Sequence, residues 1–295
     1  MQTDIFLNGS TSDAGRRERI FAGGIYLFAE TPAIKALREH AIALIDDAFG
    51  GRNPQSAQHD MAVEQFVEIA GPLKSRFTND LRTKELMRAL LEEHGCDIEL
   101  TYFDVPRLRV VSAQGYLTSG VGYAYKPHRD TWYAAPSEQI NWWFPVYALQ
   151  PDQALVFHPE HWDVPLENSS ASFDYTDWQN NGRTAATSQI SKDTRNHPVP
   201  KASLRGEGLR FVTSAGTMVA FSSAQLHATA PNTTNATRFS IDFRTVNLDD
   251  VRAERGAPNI DSASTGSTIV DFISARDFSP IPDDVRERVL AAAGA

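Results

Sequence analysis

GTMVAFSSAQLHATAPNTTNATRFSIDFR, residues 216–244, carries three short runs dense in Val, Phe, Ile and Thr, cut by Ser, Pro and Asn. Runs of that length, rich in β-branched and aromatic residues and bounded by turn formers, read as β-strands. The same texture extends back to residue 108, through LRVVSAQGYL, GYAYKPHRDTWY, INWWFPVYAL, ALVFHP and LRFVTSAG. At least seven strands within about 140 residues describe a sandwich or jelly roll. Helices of crossover length do not alternate with them, so a doubly wound parallel sheet is a poor match.

The first hundred residues have a different rhythm. After an expected strand at Ile20–Phe28, Thr31–Phe49 opens on Thr31–Pro32 and closes on Gly50–Gly51, with Ile34, Leu37, Ala41, Leu44 and Ile45 at amphipathic helical spacing. Asp60–Phe77 repeats the pattern through Met61, Val63, Phe66, Val67 and Ile69, with a break or kink expected at Gly71–Pro72. Lys84–His94 reads as a third helix stopped by Gly95, and Pro280–Ala295 as a short closing helix. The polar, Asn/Ser/Thr-rich stretch His161–Gly208 is long for a connection between strands, which suits a lid over a site. The expected fold is α+β: a jelly-roll core over 101–250 with a lid at about 161–208, a helical buttress over 1–100 and an extension over 251–295. All of it forms one catalytic domain.

Composition limits the partners. In 295 residues the hydrophobic share is 41% and the charged share 22%, enough apolar surface for a core and too much for bulk disorder. A net charge of −9 repels phosphate backbones and anionic membrane surfaces, so neither nucleic acid nor membrane is expected as a partner. Cys96 is the only cysteine, which excludes an intrachain disulfide and any thiolate-rich metal site. The first twenty residues hold no apolar stretch of signal-peptide length, and no apolar run reaches bilayer-spanning length. A soluble cytoplasmic protein acting on a small molecule is the expectation; oligomeric state is open.

His128-Arg129-Asp130 is the densest chemical signal. On a strand, residues i and i+2 face the same way, so imidazole and carboxylate could hold one cation between them. His227, on a distant strand of the core, could return as a third ligand. Two histidines and one carboxylate form a facial triad with open positions for a cosubstrate and O2, a donor set suited to Fe(II). Arg238 lies eleven positions after His227, and Arg238-Phe239-Ser240 sets a guanidinium fork and a hydroxyl on one face, apt for a carboxylate. Plainer readings remain open: a surface His128–Asp130 pair, a core His227 satisfied by a carbonyl, or Arg238 in an ion pair with Asp242 or Glu207.

His128-x-Asp130, the distal His227 and Arg238-x-Ser240 together resemble the Fe(II)/2-oxoglutarate-dependent oxygenase superfamily, most similarly its phytanoyl-CoA dioxygenase-like branch, over roughly residues 108–246. The resemblance implies a double-stranded β-helix (jelly roll, cupin-like) core. It also implies iron on His128, Asp130 and His227, and the distal carboxylate of 2-oxoglutarate on Arg238 and Ser240. The implied activity is oxidation, such as hydroxylation, of an unactivated C–H of a small metabolite, with O2 and 2-oxoglutarate consumed and succinate and CO2 released. Because Asp130 is present where related halogenases carry a small residue, hydroxylation is favoured over halogenation.

Alternation along the flanking strands puts Trp132 on the metal face, and Asn141 or Trp143 toward the cosubstrate. Arg107, Arg109, Tyr116 and Tyr125 are candidates for the mouth, and Arg195 and His197 for a bound anion. His158 and His161 in HPEHW lack the helix of a zinc-protease motif and read as structural or substrate-lining. Cys96 reads as a packed thiol. A non-catalytic jelly-roll binding protein, or a metal-dependent hydrolase or isomerase on the same barrel, are the rival functions; neither requires a carboxylate clamp one strand beyond the metal.

Overall fold

A computed structural model describes residues 3–182 and 189–294. The N-terminal part runs β1 (Ile5–Leu7), α1 (Asp13–Phe21), β2 (Ile25–Phe28), α2 (Pro32–Phe49), α3 (Val63–Asn79) and α4 (Leu81–Glu93). The sheets follow as β3 (Thr101–Phe103), β4 (Arg107–Val111), β5 (Ile140–Pro145), β6 (Leu155–Phe157), β7 (Leu209–Arg210), β8 (Met218–Ser222), β9 (His227–Thr229), β10 (Arg238–Asn247) and β11 (Ile273–Ser274). Among the described residues the larger sheet has eight strands in the order β1-β2-β8-β5-β10-β3-β11, with β4 paired to the first half of β10. A smaller sheet, β7-β6-β9, completes the strand set.

β10 organises the molecule because its two faces differ chemically. Phe239, Ile241 and Phe243 join the core that contains Leu37, Leu44, Phe66, Leu73 and Leu90 of the helices, so α2–α4 cover the outer face of the large sheet. Arg238, Ser240, Asp242 and Arg244 alternate with them and take the opposite face. On β5, Trp142 stacks on Phe243 at 5.8 Å, while Trp143 packs with Leu155, Phe157 and Phe221 in the layer between the two sheets. The site therefore occupies the gap between the sheets, its floor set by β5 and β10.

The helix signals have local causes. The Thr31 hydroxyl caps α2 by accepting from the Ile34 amide, and Gly50 ends it at φ 58°, where a side chain is disfavoured. Residues Ile34, Leu37, Ala41, Leu44 and Ile45 are buried, as their spacing requires. α3 passes through Gly71–Pro72 without the expected break: Phe66, Val67, Ala70, Leu73 and Phe77 anchor it on both sides of the proline, whose ring faces solvent. Tertiary burial outweighs the lost helical hydrogen bond. Several short elements went unread in the sequence: β1, β3 and β11 have only two or three residues each, and α1, capped by Ser12, takes the start of the expected Ile20–Phe28 strand.

GYAYKPHRDTWY is the main departure. It forms no strand; a single bridge joins His128 to His227, and residues Asp130–Tyr133 turn as a 3-10 helix. Pro127 has no amide proton for a ladder, and the chain is held instead by four backbone bonds to β9 and the turn before it, one of them from the Thr229 amide to the Tyr125 carbonyl at 2.9 Å. His128 and His227 exchange amide bonds at 2.9 Å each, and the Asp130 amide donates to the Ser223 carbonyl at 2.8 Å. In the 161–208 insertion, Phe173 and Tyr175 are buried against Ala134, so part of it is packed into the body; residues 183–188 of the expected lid lie outside the described residues. No helix is long and apolar enough to cross a membrane among the described residues.

Candidate metal centre and oxyanion clamp

The bridge between His128 and His227 brings residues 99 positions apart into one cluster with Asp130, in which one ligand atom from each lies within 4.8 Å of the others. All three side chains are buried. His128 Nδ1 is 2.7 Å from the Lys126 carbonyl and His227 Nδ1 is 2.9 Å from the Gln225 carbonyl. Each ring thus has its Nδ1 committed to backbone, which leaves the Nε2 atoms, 3.2 Å and 3.9 Å from Asp130 Oδ1, to converge on a shared space. Second contacts of this kind fix tautomer and ring orientation in metal sites.

Asp130 is held from behind. Gln139 Nε2 donates to Asp130 Oδ2 at 3.1 Å and to Asn141 Oδ1 at 2.8 Å, and Arg244 Nε stands 3.7 Å from the same carboxylate oxygen. Burial opposes ionisation of Asp130, but the hydrogen bond with His128 and then the charges of Arg244 and His227 hold its carboxyl well below the usual range. Burial, then repulsion from His128, keeps His227 down to about 4. A carboxylate beside a neutral imidazole is the protonation pattern a divalent cation needs.

Beyond the triad, a cavity of about 490 Å³ opens between the sheets. Arg238 projects into it from β10, with Nη1 donating to the Gln153 carbonyl at 3.0 Å and its guanidinium 5.7 Å from the Trp143 ring centre. Its Nε and the Ser240 hydroxyl are both buried and have no hydrogen-bond partner among the described residues. Burial pushes Arg238 down to about 10. The ion pair with Asp242 that offered a plainer reading is absent, because Asp242 accepts a two-pronged contact from Arg109 at 2.5 and 3.0 Å. A buried cation with open donors is costly unless an anion completes it.

Of the other expected positions, Asn141, Trp143, Arg107, Arg109, Tyr125 and Arg195 line the cavity. Arg107 contacts Asp104, and Arg195 pairs with Asp193 at 2.5 Å. His197 stacks on Tyr123 with ring centres 3.8 Å apart and sits 3.1 Å from the Tyr133 hydroxyl. Ser240 shares the cavity-facing parity of Arg238 but is fully buried and does not itself line the space. Trp132 is turned away: it is fully buried and its indole donates to Asp261 at 2.7 Å. Alternation failed there because a 3-10 turn repeats every three residues, so Tyr133, three after Asp130, takes the cavity position assigned to Trp132. Tyr116 also lies outside the cavity, its hydroxyl donating to the Met61 carbonyl at 3.0 Å. His158 and His161 are buried apart from the triad, and the Cys96 thiol, pushed up to about 12 by burial, lies against Arg16.

Two contributors to the centre went unread. Arg244 repeats the two-residue alternation of Arg238 and was legible in principle; Gln139 was not, since it reaches Asp130 only through packing.

No protein-family model matches the chain, and no curated protein matches it. Among solved structures it is similar to EvdO2 from Micromonospora carbonacea var. aurantiaca, at 13% identity over 81% of this chain and 92% of that one, with a TM-score of 0.45; that protein has also been solved complexed with 2-oxoglutarate. It is also similar to SnoN, a non-heme alpha-ketoglutarate-dependent epimerase from nogalamycin biosynthesis, at 13% identity over 90% and 100% of the two chains and a TM-score of 0.40. A third is the non-heme monooxygenase ThoJ in a nickel complex, at 14% identity over 90% and 89%, with a TM-score of 0.36. Likenesses this distant decide neither fold nor chemistry; those rest on the residues.

Proposed function

We propose that this chain is an Fe(II)- and 2-oxoglutarate-dependent oxygenase acting on a C–H bond of a small molecule. One observation carries the reading: a buried His128–Asp130–His227 cluster shares its cavity with a buried arginine whose Nε has no partner. Mixed nitrogen and oxygen donors leaving open positions suit Fe(II), and the open Nε of the cavity-lining Arg238 suits a carboxylate end. When bound, iron with 2-oxoglutarate supplies O2-driven oxidation of the substrate with release of succinate and CO2.

The chain's own part is positional. His128 and His227 present Nε2 because their Nδ1 atoms are tied to carbonyls. Gln139 holds one carboxylate oxygen of Asp130, leaving the other toward the histidines. Arg238 offers its fork from the β10 wall and Trp143 covers the fork's face. Tyr125 and Tyr133, with ring centres 5.4 and 5.1 Å from that of His128, exclude water beside it. The two facing sheets support a double-stranded β-helix core, and the sequence pattern supports the phytanoyl-CoA dioxygenase-like branch with hydroxylation as outcome. A reducing cytoplasm suits the buried Cys96 thiol.

Protein reconstituted anaerobically with Fe(II) and 2-oxoglutarate is expected to show the visible charge-transfer band of such ternary complexes. Asp130→Ala and His227→Ala are each expected to abolish it; persistence of the band in both variants overturns the assignment. Succinate formation in air separates an oxygenase from a non-catalytic binding protein, and activity that survives removal of O2 indicates the hydrolase or isomerase alternative.

A further inference from the structure

In a chain of net charge −9, Lys74, Arg107, Arg109, Arg195, Arg238 and Arg244 line one cavity. Four of them are paired with carboxylates: Arg109 with Asp242, Arg107 and Arg244 with Asp104, and Arg195 with Asp193. Arg238 has a use in the proposed cosubstrate clamp. Lys74 has none. It reaches in from α3, its ammonium donates to the Val121 carbonyl at 2.7 Å, and it forms no ion pair with a carboxylate among the described residues. One of its three donors is used, which leaves two. Burial, and then the charges of Arg109 and Arg195, push Lys74 down to about 7, a repulsion that an arriving anion would offset.

Tyr125 joins this basic wall to the metal centre: its ring lies 5.4 Å from that of His128, and the Arg109 guanidinium stands 5.2 Å from its centre. Tyr123 and Tyr133 pack edge-on to Tyr125 at 5.2 and 5.8 Å, giving the intervening space flat, apolar walls with hydroxyl rims.

We propose that the substrate carries a terminal oxyanion, carboxylate or phosphate, seated on Lys74 beside Arg109, with a cyclic body lying along Tyr125 and Tyr133 toward the metal. That its body is then oxidised rests on the oxygenase reading; that it binds does not. The paired arginines do not compete for the ligand, and Lys74 supplies the open donors.

The test uses the Zn(II)-loaded full chain, which is redox-silent, in two calorimetric titrations. 2-Oxoglutarate is added first and reads the cosubstrate site; with that site saturated, phenylacetate, phenyl phosphate and the neutral phenylacetamide are compared. At least one of the two anions is expected to bind tenfold or more tightly than the amide, and which one does so separates carboxylate from phosphate. Lys74→Gln is expected to erase that preference while leaving 2-oxoglutarate affinity within twofold, and Lys74→Arg to retain it. Equal binding of all three probes, a preference that survives Lys74→Gln, or joint loss of 2-oxoglutarate and anion binding in Lys74→Gln each overturns the inference. If 2-oxoglutarate fails to bind the parent chain while the Lys74-dependent preference persists, the oxygenase reading falls and this one stands.

Discussion

Gln139 shows how much of the site is decided by single side chains that touch no ligand. It bonds Asp130 and Asn141 at once, so Gln139→Leu frees the carboxylate to rotate; metal affinity is expected to fall about 10–100-fold, measured by competition with a chelator. Arg238→Gln keeps a hydrogen-bonding group but removes the charge, and 2-oxoglutarate affinity is expected to drop about a hundredfold, with Ser240→Ala costing less than tenfold. Titration gives a further check. Burial, followed by charge repulsion, holds His227 and His197 down to about 4 in the folded state, against about 6.5 in an unfolded chain. The unfolded state therefore binds more protons across that window, and stability falls as pH drops from about 6.5 to 4. The Tm of metal-free protein is expected to decline as pH falls below 6.5, and His197→Phe to shallow the decline.

At the scale of elements, α3 carries the lesson. Its sequence contains Gly71-Pro72, a pair that argues for a break, yet the helix continues because five buried residues fasten it to the sheet. A Cβ at Gly71 would meet only Val121, at 3.9 Å, so Gly71→Ala is expected to stabilise the protein by about 0.5–1 kcal/mol in urea denaturation by removing unfolded-chain entropy. The element is also the carrier of Lys74, three residues beyond. β10 was the converse case: its alternation of Phe239, Ile241 and Phe243 with Arg238, Ser240 and Asp242 was fully legible, since a period of two decides both faces of a strand at once. Residues 122–133 were misread for the same reason, because that period was applied to a segment that Pro127 and the 3-10 turn take out of the sheet.

At the scale of the whole molecule, Asp261 ties the site to distant parts of the chain. It accepts from Arg129 and Trp132, which flank Asp130, and from the Leu166 amide at the start of the insertion. Arg129 and Asp261 side chains are 1% and 3% exposed, and burial pulls the Arg129 charge below its usual range. Removing the carboxylate leaves a buried cation, so Asp261→Ala is expected to cost about 3–5 kcal/mol and to loosen metal binding with no ligand changed, seen as a lower Tm together with a weaker Fe(II) affinity.

The sequence by itself determined the strand-rich core, the helical buttress, and the residue types of the centre, because periodicity, turn formers and donor chemistry are local properties of the chain. It reached His128, Asp130, His227 and Arg238 since their spacing along strands and their side-chain chemistry are written in order. Only the tertiary structure decided that the first two sit on a bridge and a turn, that Tyr133 rather than Trp132 faces the cavity, and that Lys74 arrives from a helix. Those outcomes depend on which surfaces pack against one another and which polar groups find partners on burial, and neither is a property of any one segment.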